Sequence, residues 1–352
     1  MKHSIEIYIH GGMFKTGTTA FQRLMNRNRE FLISNGIYYP PKTAGANTIL
    51  NLRFKDWSPE PVWNQIRAAR EVRCDKIIFS GEAVSILSAA EVLRLAECLK
   101  DYQTHFVFSF RHWTEYLPSR WSTYSSRRDS QPFSAYIQAL RGEFPEHIDL
   151  YFNQLVDRFR LAGSSFRAVS YSNEIAQGRQ PTEALFRALD IEPELSLSLA
   201  GDIRLENVRR SWDEVELLRL LNGVVARHLR LNQDDLCNTI GTFGHGNIPF
   251  VLDRELADIP EEISGPVLDA IRQHEAVVRL NPNDRWLEQL AETFQRQCAD
   301  SFTNLVDGHV FAAPKPTETH CTDLVWSEAI TPEIAKLLTE QPFVRKLEAV
   351  FD

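Results

Sequence analysis

The chain has 352 residues, of which 43% are hydrophobic and 24% charged, and it carries a net charge of −8. That length can bury a full core, and the composition is ordinary for a water-soluble globular protein. The acidic balance argues against general nucleic-acid binding but leaves room for a local basic pocket that takes a small anion. No apolar run approaches the ~18 residues of a membrane-spanning helix, and no signal-peptide core precedes the first strand. The five cysteines, Cys74, Cys98, Cys237, Cys298 and Cys321, are scattered and lack a C-x-x-C pair. Reduced thiols in a cytoplasmic protein, with no zinc site, are the expectation.

Ile5 to Thr19 reads as a short strand, a glycine-rich turn with one lysine, and the start of a helix. In that order, unpaired backbone N–H groups and the positive end of a helix dipole face one point, which makes a cradle for an oxyanion. The helix is expected from about Thr18 to Ser34, with Phe21, Leu24, Met25, Phe31 and Leu32 as its apolar stripe and Asn35-Gly36 as its stop. Three more apolar runs, Lys76 to Ser80, His105 to Phe110 and Phe166 to Tyr171, read as buried strands, each followed by a helical segment. This alternation predicts an α/β fold with a parallel central sheet flanked by helices on both faces. Ser88 to Glu91 forms a capping box before the third strand. Trp113 to Arg127 reads as helical, with Pro118 kinking it or marking a later start.

Beyond about Gly201 helices dominate, at Leu217 to Leu221 and Trp286 to Phe294, and convincing strands are scarce. Cys237 to Pro249 reads as a loop, and Ala313 to Thr319 as a linker before a last short helix. The expected organisation is an α/β core over 1–200 and a mostly helical region over 201–352, in the same domain or beside it.

In an open parallel sheet, ligands gather beyond the carboxyl ends of the strands. There the chain carries His10 and the Lys15 loop, then Glu82, Arg111, and Asn173 with Glu174. Acid, cations and hydroxyls on one edge suit an anionic ligand with a proton acceptor beside it. The loop comes close to the nucleotide-binding pattern G-x-x-x-x-G-K-[ST]. Gly12 and Gly17 have its spacing and Thr19 its hydroxyl, but the lysine is Lys15, inside the loop, and Thr18 holds the usual lysine position.

With these residues the sequence resembles the sulfotransferases that use 3′-phosphoadenosine 5′-phosphosulfate (PAPS), in their bacterial form. Lys15-Thr-Gly-Thr-Thr19 is similar to the family's first signature, and Arg111 with Ser119 eight residues on is similar to its second. The wider form from His10 to Thr19, with Gln22 after it, is similar to bacterial members, and the resemblance covers about residues 1–175. It implies a P-loop-like sulfotransferase core, PAPS as co-substrate and no metal. The chemistry fits these residues. Sulfuryl transfer moves SO₃ from a phosphate leaving group to a hydroxyl or amine, and negative charge grows on the oxygen bridging phosphorus and sulfur. Lys15 would stabilise that oxygen, while the backbone N–H groups of Thr16, Gly17, Thr18 and Thr19 and the threonine hydroxyls would hold the 5′-phosphate. Arg111 offers a planar donor fork to the 3′-phosphate, with Ser119 adding a hydroxyl two helical turns later.

An acceptor hydroxyl needs a general base. Glu82 is the first candidate, because it follows the second of these strands directly. In the resemblance, polysaccharide-modifying enzymes place a glutamate at a comparable strand end and small-molecule enzymes often use a histidine, so His10 and His112 stay open. Blander roles stand beside these. His10 is also read as a strand-end residue that orders the loop, His112 as facing solvent or the sheet edge, and Gln22 as a surface amide or a loop brace. His245, between glycines, marks backbone freedom, and Trp113, Tyr116, Trp121 and Tyr124 fall at helical spacing as core. The competing functions are a P-loop small-molecule kinase and a non-catalytic nucleotide-binding protein. A kinase wants its lysine after the second glycine and an Asp at a strand end for Mg²⁺, where this chain has Thr18 and Arg111. The acceptor stays open among a saccharide, a lipid-linked glycan and a small alcohol or phenol. Its pocket is expected from the helical half and from the loops Trp57 to Trp63 and Cys237 to Asn247.

Overall fold

The computed structural model describes residues 5–13, 16–41, 50, 57–126, 130–143, 147, 150–162, 165–200, 210–229, 259–312 and 314–345. Lys15, His245 and the loop expected over Cys237 to Pro249 lie outside the described residues. In chain order, β1 (Glu6–Gly12) is followed by α1 (Thr18–Arg27), α2 (Arg29–Ser34), β2 (Ile37–Tyr38), α3 (Glu60–Glu71), β3 (Lys76–Ser80), α4 (Ala89–Cys98) and β4 (Gln103–Phe110). Next come α5 (Trp113–Ser125), α6 (Phe133–Gly142), α7 (Phe152–Arg160), β5 (Ser165–Ser170), α8 (Tyr171–Ala176), α9 (Pro181–Ala188) and α10 (Pro193–Ala200). The remainder holds α11 (Trp212–His228), α12 (Glu261–Gln273), β6 (Ala276–Leu280), α13 (Arg285–Cys298), β7 (Thr317–Cys321), α14 (Trp326–Ala329) and α15 (Pro332–Thr339).

The chain forms two compact units that interleave along the sequence instead of dividing near residue 200. The first takes Met1–Trp113, Ile148–Val208 and Pro282–Lys315; the second takes Thr114–His147, Arg209–Asn281 and Pro316–Asp352. In the first unit, five parallel strands run in the order β2-β3-β1-β4-β5. Alternation along the strands sends Tyr8, Ile78, Val107 and Val169 to one face, where they join Phe21, Leu24 and Met25 of α1 and Leu185 and Phe186 of α9. On the other face Phe106 and Phe108 meet Phe159 of α7 at 4.6 and 4.7 Å, and Phe110 meets Phe294 of α13 at 5.2 Å. The sheet is therefore covered on both sides, as parallel sheets require.

The expected first helix is broken at Asn28, whose backbone N–H and side-chain amide both donate to the Leu24 carbonyl, at 3.2 and 3.0 Å. The chain then restarts as α2 and stops at Asn35 and Gly36, whose N–H groups return to Leu32 and Ile33. The capping box is present: Glu91 N–H donates to Ser88 Oγ, and the Glu91 carboxylate accepts from Ser88 N–H. Beyond β5, the free edge of the sheet is closed by residues 302–304. Phe302 forms a parallel bridge with Ala168, and the Asn304 amide imitates a strand residue, accepting from Ser170 N–H at 2.7 Å and donating to Ser170 O at 2.9 Å.

The second unit is built around α11, buried continuously from Val215 to Val225. Leu217, Leu218 and Leu221 pack with Ile263, Val267 and Ile271 of α12 and Ile334 and Leu338 of α15. Pro118 sits inside α5, so the helix continues through it. Two strands not expected from sequence, β6 and β7, pair antiparallel from Ala276↔Cys321 to Leu280↔Thr317. The second of them begins at Thr317, inside the stretch expected as a linker.

Candidate functional site

The strand order has a switch point at β1 and β4. They are neighbours, yet the chain leaves β1 toward β2 on one side and β4 toward β5 on the other. A crevice opens at the carboxyl ends of such a pair. The backbone there is pinned from both sides: Gly81 N–H donates to His10 O at 3.0 Å, and Met13 N–H donates to Ser109 O at 3.1 Å. Ser85 adds a clasp from the 3₁₀ turn Glu82–Ile86, accepting from Gly12 N–H at 3.3 Å while its hydroxyl donates to Gly12 O.

Past this clasp, Thr16 Oγ donates to Met13 O at 2.6 Å. Gly17 then takes a left-handed φ of +85° and stands at the N-cap of α1, where no side chain caps the helix. A Cβ on Gly12 would fall 3.0 Å from the Thr16 hydroxyl and 3.4 Å from the Thr18 hydroxyl, so both hydroxyls close over a position only glycine leaves open. Thr18 is 2% exposed, and its hydroxyl has no hydrogen-bond partner among the described residues. The neighbouring Thr19 side chain is exposed.

His10 is buried on the strand, its Nδ1 2.8 Å from Ser80 Oγ and its ring edge-on to Phe21. Burial pushes its pKa down to about 3. Gln22 reaches back from α1 and donates to Ser80 O and Oγ, at 3.3 and 3.1 Å, which makes it a loop brace. Glu82 is half-buried and opens the 3₁₀ turn directly after Gly81. Arg111, half-buried beyond β4, holds its guanidinium 5.0 Å from the Tyr171 ring centroid. Tyr171 also lies against the glycine turn, 3.9 Å from where a Cβ on Gly17 would stand. Neither Tyr171 nor Ser85 was singled out from sequence. The signal available was position alone, since each follows a strand end.

Two expectations are corrected. His112 does not face solvent: it is fully buried, edge-on to Trp113 and Phe311, and burial lowers its pKa to about 4. Asn173 and Glu174 do not join the other strand ends as ligand groups. Asn173 donates to the Asn304 and His309 carbonyls and accepts from Ala312 N–H. Glu174 is wholly buried; burial alone would raise its pKa, but bonds from Arg179 and Asn304 and the charge of Arg187 hold it below the usual range. Ser119 lies half-buried on α5 in the second unit, its carbonyl accepting from Thr123 Oγ. Trp113, Tyr116 and Trp121 are core, whereas Tyr124 is half-buried with Arg120 4.0 Å above its ring.

The fold and site together define a parallel α/β protein with a glycine-and-hydroxyl cradle at its switch point. Compared with known protein families, curated proteins and solved structures, the chain finds no match. Among the described residues no helix is long and apolar enough to cross a membrane.

Proposed function

We propose that this chain is a PAPS-dependent sulfotransferase on a P-loop-like core, moving a sulfuryl group to a hydroxyl or amine of an acceptor such as a saccharide or small alcohol. One observation carries the reading: the buried Thr18 hydroxyl, without a partner among the described residues, at the N-terminus of α1 and facing Gly12. An orphaned buried hydroxyl costs about 1–3 kcal/mol, and an oxyanion seated there would satisfy it together with the free N–H groups of the first helical turn. The 5′-phosphate of PAPS is such an oxyanion, and its 3′-phosphate suits the Arg111 fork. Ser119 belongs to the second unit, so its pairing with Arg111 stays a sequence-based expectation. The role of Lys15, charge stabilisation on the bridging oxygen, likewise rests on the sequence.

In the reaction, the acceptor oxygen attacks sulfur and its proton passes to a base. The bond from sulfur to the bridging oxygen breaks, and its electron pair leaves on the 5′-phosphate of adenosine 3′,5′-bisphosphate. Glu82 is the base this reading assigns. His10 and His112 are sealed from solvent, and burial makes both poor proton acceptors. The test is calorimetric titration of the whole chain with adenosine 3′,5′-bisphosphate and, separately, with ATP and Mg²⁺. Tight binding of the bisphosphate alone is expected. Tight binding of ATP–Mg²⁺ alone would make the chain a kinase and overturn the proposal.

A further inference from the structure

A second concave surface lies on the first unit, between α3 and α4, and none of the cradle residues line it. It is a cleft of about 630 Å³, within the size range of small-ligand sites. Its lining carries Arg67, Arg70, Arg94 and Lys100 against Glu97 and Asp101, a cationic excess on a chain whose net charge is −8. Two of the guanidiniums are held in place by aromatic rings. Arg94 sits 4.7 Å over the Trp57 ring and donates to Trp57 O at 3.0 Å. Arg70 lies 5.5 Å from the Tyr102 ring centroid and donates to Tyr102 Oη at 3.4 Å. Neither has a carboxylate partner among the described residues. Each spends one of its five N–H groups in these bonds, so a planar fork remains to be filled.

Trp63 is fixed as well: its indole N–H donates to Cys98 O at 3.3 Å, while the side chain stays 39% exposed. Trp63, Arg67 and Arg70 stand at i, i+4 and i+7 on α3, in one row along the cleft. Two of the cleft's cations are paired with carboxylates: Arg67 with Glu60 at 2.6 Å and Lys100 with Glu97 at 2.5 Å.

We infer that this cleft binds a short anionic saccharide, a sugar chain bearing carboxylate or sulfate groups. An indole with an open face takes the C–H face of a pyranose, positioned forks take isolated anionic groups bidentately, and rim carboxylates accept from sugar hydroxyls. A DNA strand fits less well, because it brings phosphates to Glu60, Glu97 and Asp101 without the free hydroxyls by which a saccharide donates to such carboxylates. The forks and the indole are ordered before binding, which lowers the entropy lost on association. The inference does not depend on the nucleotide reading.

The test is calorimetry on the full chain with tetragalacturonate, with neutral maltotetraose, and with a thymidine hexanucleotide. Saturable binding of tetragalacturonate is expected, at least about 10-fold tighter than of maltotetraose, with the double variant Arg70→Gln/Arg94→Gln weakening it by about 10-fold or more. Trp63→Leu should weaken it too and Trp63→Phe restore it, with melting temperature and adenosine 3′,5′-bisphosphate binding unchanged in all three variants. No saturable binding of tetragalacturonate, equal binding of maltotetraose, tighter binding of the oligonucleotide, or indifference to the arginine substitutions would each overturn the inference. A failed bisphosphate titration would sink the sulfotransferase reading and leave this one standing.

Discussion

Thr18 separates stability from binding at the level of one atom. Its hydroxyl is buried without a partner among the described residues, so replacing it with a methyl removes a penalty. Thr18→Val should raise the stability of the ligand-free protein by about 1 kcal/mol, read in urea denaturation, while weakening adenosine 3′,5′-bisphosphate binding by about 10-fold or more. Equal losses in both would mean that the hydroxyl serves the fold alone. If the chain is the sulfotransferase proposed above, Lys15→Ala should lower sulfate transfer by about 100-fold or more at unchanged stability, the usual effect of removing one donor from a developing charge. His10 acts through pH. Its pKa lies near 3 in the folded chain, against an ordinary value of 6.5. Between those values the unfolded chain binds the extra proton. The neutral ring therefore contributes stability that is complete above about pH 6.5 and fades as pH falls toward 3. Melting temperatures from pH 7 to pH 4 should drop less steeply in His10→Gln than in the parent.

At the level of elements, residues 302–304 act as a short sixth strand, and Asn304 is their anchor. Asn304→Ala would strip both partners from the Ser170 backbone and one from Glu174. The expected cost is about 3 kcal/mol, with faster amide exchange at Ser170, and an unchanged exchange rate would refute the anchoring role. This element also marks where sequence reading runs out. β1, β3 and β4 were legible as mostly apolar runs buried nearly throughout, and β5 by its Phe166, Ala168 and Val169, although its first half is only partly buried. β2 has two residues, too few to show a period. β6 and β7 carry Arg279, Glu318 and His320 among their apolar residues and pair across more than thirty residues, so each alone reads as polar chain. The strand-end positions of His10, Glu82 and Arg111 were visible for the reason the strands were. The burial of His112 and the engagement of Asn173 and Glu174 were not. Their partners Phe311 and Asn304 arrive from far downstream, and no local pattern announces them.

Across the whole molecule, the second unit depends on one ion pair that water never reaches. Arg219 and Glu216 are both fully buried on α11. Their remaining capacity is filled by Ser130 O, Thr322 and Leu324 O. Burial still raises the Glu216 pKa despite the arginine, which means the pair holds a charge the site resists. Glu216→Leu or Arg219→Met alone should cost about 3–5 kcal/mol in urea denaturation, and the two together much less. Additive losses in that double-mutant cycle would rule out the coupling.

The interleaving of the two units has a consequence in time. The strand edge beyond β5 is complete in sequence by Ser170, yet the residues that cover it stand at 302–304. During synthesis at about 5–20 residues per second, that edge emerges many seconds before its cover does. A nascent or truncated chain therefore presents an unpaired parallel edge, open to pairing with another copy. The last part of the first unit to be made is the part that keeps the sheet solitary.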